Sequence, residues 1–423
     1  MAKFTVKLET VTPLFLGGAD PRGEPELRPP AFRGALRYWL RAAIGGVIGG
    51  DNMSSLQGIE DSVFGSTRGE GSMASSLVVR ILEDNLQVIA FSQIAEKENF
   101  KNQQGETKER FRKPGIVYLY FAARELKQKH EQERSALIND FELSFSTRSR
   151  ASTEVDVLKY AYISLWLLTR FGGLGSRARR GAGNLSVVDV QNETDYSQEL
   201  PLILKAGSPE RLVGELERGL KKIRTWISEV HAPQIIKSPS SFDVLHPDTC
   251  KIWVIDKSYA NWKQALEELG GTYSAFRNHR SPDYTTVKKS MNDKVDLSQP
   301  VQRAAFGLPV PFLFNSLRGV VRDNQSTLEA ERFDRRMSPL VFRIIKLANT
   351  EKPYAIVILW FQSEFLPKNE GVEGRLKLTH GKEERFGKSP DDSLIDLFLH
   401  KRDADNNSSL LDKGLNLIEV NYA

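Results

Sequence analysis

The chain has 423 residues, of which 40% are hydrophobic and 27% charged, with a mean hydropathy of -0.38. That composition supports packed cores and excludes a disordered chain, and no apolar run approaches the roughly 20 residues of a membrane-spanning helix. Lys and Arg total 59 against 54 Asp and Glu, a net charge of +5 that permits nucleic-acid binding, while the single Cys250 excludes an internal disulfide framework and a multi-cysteine zinc site. The start, MAKFTVKLETV, has no apolar signal-peptide core, so a reducing, cytoplasmic setting is expected.

Lys3 to Val11 alternates Phe4, Val6 and Leu8 with Lys7, Glu9 and Thr10, which predicts a half-buried strand. In the following TPLFLGG, Pro13 ends the ladder and Gly17-Gly18 permit a sharp turn. Residues 20–30 carry four prolines and read as a loop. A helix is predicted from near Phe32. Its apolar stripe is Leu36, Trp39, Leu40 and Ala43, and Arg33, Arg37 and Arg41 form a cationic stripe beside it. No acid sits at i±4 on the same helix, which favours an anion-binding face over a merely solvated one.

Residues 45–76, rich in Gly and Ser and containing FGSTRGEGS, read as an irregular excursion. Strands are predicted at 76–84, 114–123 and 141–149, with the polar KNQQGETKERFRKPG as a mobile insertion between the first two. Thr153 and Asp156 form a capping pair for a helix whose apolar face is Val155, Leu158, Tyr162, Leu165, Trp166 and Thr169. That helix stops at Arg170-Phe171 before Gly172-Gly173, and a strand follows at 184–190. The order is βαββαβ with one extra strand, an α+β fold of ferredoxin-like (RRM-like) type with helices on one face of an antiparallel sheet. The first domain is expected over 1–195, with QNETDYSQELP as a linker.

A second, more decorated domain of the same class is expected over 205–423. Its predicted elements are a helix over 209–229, a strand at 251–256, and a helix capped by Ser258 and ending at Gly270-Gly271. A long loop over 272–300 carries Arg277, His279, Arg280, Lys288, Lys289 and Lys294. FGLPVPF reads as a proline-broken segment. SPLVFRIIKL and YAIVILWF read as strands, residues after Ser389-Pro390 as a short helix, and LNLIEV as a final strand.

The sharpest feature is GGLGSRARRGAG, residues 172–183. Gly172, Gly173, Gly175, Gly181 and Gly183 allow unusual backbone conformations and close approach to a ligand. Arg177, Arg179 and Arg180 supply guanidinium forks suited to phosphate. From Leu143 to Gly183 there are seven basic residues, among them Arg148 and Arg150, against two acids. The loop follows a helix and precedes a strand, unlike nucleotide loops that open a helix, so a polymeric phosphate backbone fits better than a nucleotide cofactor. A solvated turn is the bland alternative. No cofactor and no metal are expected.

Three segments in this order resemble the RAMP superfamily of CRISPR proteins: the strand with TPLFLGG, the FRGALR helix opening, and GGLGSRARRGAG before a strand. RPPAFRGALRYWLRA, AFGLPVPF and RRMSPLVFR are similar to the first-numbered subunits of type III-B Cmr effector complexes. The helix opening has Pro29-Pro30-Ala31 where most RAMPs have a Gly-Ser-Ser type turn, a change the narrower family shares. The resemblance implies tandem ferredoxin-like domains in a non-catalytic subunit that contacts the 3′ part of a guide RNA, target RNA and other RAMP subunits. By that likeness Arg33, Arg37, Arg177, Arg179 and Arg180 lie along the RNA path. Arg41, Arg148, Arg150, Arg335 and Arg336 are further candidates on charge alone, although Arg335 and Arg336 have Glu329, Glu331 and Asp334 as candidate partners.

Two other readings stay open. An endoribonuclease that processes guide-RNA precursor would need an acid or base such as His279, and by the same resemblance a subunit that cuts target RNA would use a loop aspartate, for which Asp20 is the candidate. A scaffold subunit would contact protein neighbours and no RNA. Trp39 and Phe171 could stack on bases, but both fall at core positions of helices.

Overall fold

The computed structural model describes the chain from Lys3 to Ala423 except residues 19, 21, 50–51, 68–71, 103, 125–131, 149–155, 193, 235–241, 279, 315–324, 334 and 367–373. Arg150, Thr153, His279 and Asp334, and the centre of FGSTRGEGS, therefore lie outside the described residues.

The N-terminal half begins with β1 (Lys3–Thr10), α1 (Pro29–Ile48) and α2 (Met53–Phe64), then β2 (Leu77–Asp84). An insertion follows: β3 (Gln87–Ala90), α3 (Phe91–Ile94), β4 (Lys97–Lys101), β5 (Thr107–Phe111), α4 (Pro114–Leu119) and β6 (Ser135–Ile138). The half closes with β7 (Asp140–Thr147), α5 (Val157–Phe171) and β8 (Leu185–Gln191). Its main sheet is antiparallel with order β2-β7-β1-β8. Setting the insertion aside, this is the βαββαβ chain path of a ferredoxin-like fold. Phe4, Val6 and Leu8 on β1 and Phe141, Leu143 and Phe145 on β7 face the helices and are fully buried, with the Phe4 and Phe145 rings stacked at 4.8 Å.

After α6 (Tyr196–Glu199) and α7 (Pro209–Ser228) the path repeats. The elements are β9 (Cys250–Tyr259), α8 (Trp262–Arg277), α9 (Asp283–Asp293), β10 (Val310–Leu313), β11 (Gln325–Ala330), β12 (Leu340–Lys346) and β13 (Tyr354–Phe361). β14 (Arg375–His380), β15 (Glu383–Lys388), α10 (Ser393–His400) and β16 (Leu417–Glu419) complete the chain. The sheet β12-β13-β9-β16 has the same order as the first, so the molecule is a tandem of ferredoxin-like units. A separate antiparallel sheet, β10-β11-β14-β15, with its own small core, decorates the second unit.

The second sheet is buried on both faces. Trp253, Ile255, Phe342 and Ile358 pack with α8 and α10, whereas Ile252, Val254, Val341 and Val357 join the core built by α1, α5 and α7. That accounts for YAIVILWF, an unbroken apolar run with no polar alternation. It also buries α5 all round, Lys159 alone excepted, where a single apolar face was expected.

Several predicted elements need correction. Residues 114–123 are not a strand: α4 and a following turn bury Ile116, Leu119 and Tyr120 at helical spacing, which removes the extra strand from the fold. A Val/Ile/Tyr-rich run of this length is ambiguous until its neighbours are known. The neighbour is α8: a Cβ on Gly270 would stand 2.3 Å from the Gly115 carbonyl oxygen, so Gly270 marks a helix crossing and not a helix end. α8 is capped by Asn261, whose Oδ1 accepts from the Gln264 N–H at 2.9 Å, because Ser258 still lies in β9. Residues 272–300 hold the end of α8 and all of α9 in place of a long loop. Residues 45–76 contain α2, and the polar insertion is a β4–β5 hairpin with cross-strand pairs Lys97–Glu109 and Glu98–Arg110. The proline-broken segment includes β10, an edge strand, where Pro311 costs no ladder bond on the solvent side.

Candidate nucleic-acid interface

The glycine-rich loop joins the two units. It is tied to the TPLFLGG segment near both ends: the Ser176 N–H donates to the Phe15 carbonyl and the Gly183 N–H to the Pro13 carbonyl, both at 2.9 Å. Its C-terminal side runs along the free edge of β12, with the Phe342 N–H donating to the Arg179 carbonyl at 3.0 Å and the Ile344 N–H to Asn184 Oδ1 at 2.7 Å. The loop thus satisfies an edge strand that would otherwise present open donors and acceptors. The fully buried Tyr120 donates its hydroxyl to the Gly181 carbonyl at 2.8 Å and holds the loop from the insertion side.

The glycines serve this packing. Gly183 has φ +62°, and a Cβ there would stand 2.0 Å from the Leu174 carbonyl oxygen. A Cβ on Gly175, at φ +82°, would stand 2.4 Å from the Phe15 carbonyl oxygen. Gly172 faces Trp39, Gly173 the Ala182 carbonyl, and Gly181 the Leu266 side chain. The close approach that the glycines permit is to the protein's own chain, and the loop's arginines are what remain for a ligand.

Those arginines differ sharply. Arg179 is clamped in the interior: it ion-pairs with Asp243 and donates to the Ser338 carbonyl at 2.8 Å and to the Tyr38 hydroxyl at 3.0 Å. Burial works against its charge, but Tyr38 and Asp243 outweigh that and raise its pKa. Arg180 lies over the Tyr273 and Phe342 rings and donates to the Phe306 carbonyl. Burial, with Arg277 nearby, lowers its pKa.

Arg177 is the exception. It sits at φ +63° on the turn of the loop, half-buried, with no side-chain hydrogen bond or ion pair among the described residues. Burial lowers its pKa, and the charged groups acting on it are Arg180, Arg134 and Arg335, all of which lower it further. Arg134 is itself lowered by burial and by Arg22, and its Nη1 donates to Ser176 Oγ at 2.7 Å. Arg335 is exposed and has no acidic partner among the described residues. Like charges gathered without a counter-charge destabilise a fold and form a ready anion site.

Of the other predicted positions, Arg33 is half-buried and unpaired among the described residues, and the exposed Arg148 side chain has no described partner. Arg37 and Arg41 share Glu60, at 3.2 and 2.5 Å. This carboxylate comes from α2, which the sequence reading did not recognise, so the missing acid of the stripe is supplied from the next helix. Arg37 also donates to the Phe64 and Gly65 carbonyls. Arg336 is tied to the Phe365 carbonyl and the Ser363 hydroxyl, each at 2.8 Å, while Glu331 pairs with Arg375. Trp39 and Phe171 are core residues. Arg134 and Arg22 were missed, because Arg134 stands far from the loop in the chain and in a polar stretch. The cations of the β4–β5 hairpin are largely ion-paired, in contrast to Arg177.

Among the described residues, the candidate acids and bases do not gather at the loop. Asp20 is exposed and accepts from the Arg22 N–H. His231, His246 and His400 lie elsewhere, each with its pKa lowered by burial. No group of three metal-ligating side chains occurs among the described residues. Cys250 is buried at the start of β9, and burial pushes its thiol pKa up. No helix among the described residues is long and apolar enough to cross a membrane.

The segments meeting at the loop are those that carried the family resemblance: TPLFLGG, the α1 residues Tyr38 and Trp39, Phe306 of AFGLPVPF, and Ser338 of RRMSPLVFR. Residues 7–186 match the RAMP superfamily. The chain is 26% identical over 363 residues to the CRISPR system Cmr subunit Cmr1-1 of Pyrococcus furiosus, covering 86% of this chain and 88% of that protein. It is 31% identical over 187 residues to Cmr subunit Cmr1-2 of the same organism, covering 43% of this chain and 92% of that one. The crystal structure of Cmr1 from Pyrococcus furiosus in its apo form superposes with a TM-score of 0.56 at 21% identity, over 99% of both chains. The chain therefore belongs to the RAMP superfamily, and within it to the Cmr1 family.

Proposed function

We propose that the protein is a non-catalytic RNA-binding subunit of a type III-B CRISPR effector complex, contacting the 3′ part of a guide RNA and the target RNA along the arginines around the glycine-rich loop. The observation that carries this reading is the company of the half-buried Arg177 on the turn of the loop: among the described residues it has no ion pair, and the charged groups acting on it are three arginines. A phosphodiester backbone supplies the missing negative charge, and sequence-independent binding of that kind suits a guide of any sequence. The kinship with Cmr subunits supports a place in an assembly with other RAMP subunits.

The test is a titration of single-stranded RNA at several salt concentrations, followed by a denaturing gel. Each phosphate contact contributes about 0.7 to the slope of log K against log salt for single strands. Arg177→Ala with Arg335→Ala lowers that slope by roughly 1.4, and the RNA stays intact. Cleaved RNA would favour the endonuclease reading, and no binding by the wild-type chain would favour the scaffold reading.

A further inference from the structure

The loop between β11 and β12 carries Phe333, Arg335, Arg336 and Met337 beside the glycine-rich loop. Arg336 is its peg. Its backbone pairs with Leu308, its guanidinium reaches inward to the Phe365 carbonyl and the Ser363 hydroxyl, and Ser338, two residues on, is buried and takes a bond from Arg179. Around this peg Phe333, Arg335 and Met337 are all exposed, Phe333 by 50% and Met337 by 56%. Phe333 sits on a shallow recess lined by Ala330, Leu366 and Gly374 together with the charged Glu331, Arg332 and Arg375. The exposed Phe121, in contrast, is covered by the Arg124 guanidinium, 4.3 Å above its ring.

An exposed aromatic ring, a cation and a thioether at alternate positions match what single-stranded RNA offers, an apolar base face next to a phosphate. We propose that Phe333 and Met337 are a base-stacking platform for single-stranded RNA, with Arg335 and Arg177 holding the adjoining phosphates. This rests on the RNA-binding reading above and assigns the part of the RNA that the arginines do not read. Charge complementarity selects the occupant: a protein partner with an apolar patch would leave Arg335 and Arg177 facing no anion.

The test uses the full-length chain with two fluorescein-labelled probes, a 20-mer oligouridine and a 20-mer abasic ribose-phosphate oligomer. Phe333→Ala weakens oligouridine binding by about fivefold or more, leaves the salt slope unchanged, and alters abasic binding by less than about twofold. Phe333→Trp restores oligouridine binding. Because the side chain is exposed, the thermal midpoint stays at the wild-type value and excludes misfolding as the cause. Equal binding of oligouridine by Phe333→Ala and wild type, or equal losses on both probes, would overturn the platform while wild-type binding left the RNA-binding reading standing. Failure of the wild-type chain to bind either probe would overturn both.

Discussion

Arg177 and Arg179 sit two residues apart on one turn and meet opposite surroundings. Arg179 has Asp243, Tyr38 and the Ser338 carbonyl around it, whereas the charged groups acting on Arg177 among the described residues are other arginines. Replacing Arg179 with Ala strands the buried Asp243 carboxylate, and unfolding by denaturant should read a loss of about 3 kcal/mol. Replacing Arg177 with Ala removes a repelled charge and should leave stability equal or slightly higher while flattening the salt dependence of RNA binding. A protein in which both changes weakened folding equally would not have the site described here. The sequence grouped Arg177, Arg179 and Arg180 as equivalent, because a string of basic residues does not reveal which has a buried acid waiting 64 positions away.

At the scale of elements, the glycine-rich loop works as a joint before it works as a site. Asn184 is fully buried, and its Oδ1 accepts the Ile344 N–H of β12 while its Nδ2 faces the Gly172 and Ala182 carbonyls. Asn184→Ala leaves a buried strand-edge donor unpaired, and an equilibrium melt should show a loss of about 3 kcal/mol. Little change there would mean that the loop does not hold β12. The main strands and the long helices were legible from period and caps: β1, β7, α1, α5, α7, β12 and β13 all lie within a few residues of their predicted places. Other elements were not. α4 reads as a strand because Ile116, Val117, Tyr118 and Tyr120 are strand formers, and only its crossing with α8 reveals the helix. In sequence α8 reads as ending at Gly270-Gly271, because a glycine that admits a neighbouring helix looks the same as one that ends its own.

For the whole molecule, the two ferredoxin-like units share the core formed by α1, α5, α7 and one face of the second sheet. Arg343, fully buried on β12, fastens them by donating to the Thr169 carbonyl at 2.6 Å and to the Leu185 carbonyl. This union has a pH dependence. Burial lowers the pKa of His231, His246 and His400 below the ordinary histidine value, so the unfolded chain binds more protons than the folded one as pH falls through about 6.5. Stability is therefore present above that value and declines below it, and the thermal midpoint should be lower at pH 5.5 than at pH 7.5. A midpoint that rose on acidification would contradict these lowered histidine pKa values. The shared core was not legible in the sequence, where each half has a complete set of elements. What betrays it in retrospect is α5, whose apolar residues exceed what one face needs.

The central claim is that single-stranded RNA crosses the glycine-rich loop at Arg177 and Arg335. Photo-crosslinking of 4-thiouridine RNA to the full-length chain, with the adducts mapped by peptide mass spectrometry, tests it most directly. The account predicts adducts on the peptides holding residues 172–183 and 331–338. Adducts confined to the β4–β5 hairpin or to the helix-free face of the first sheet would contradict it.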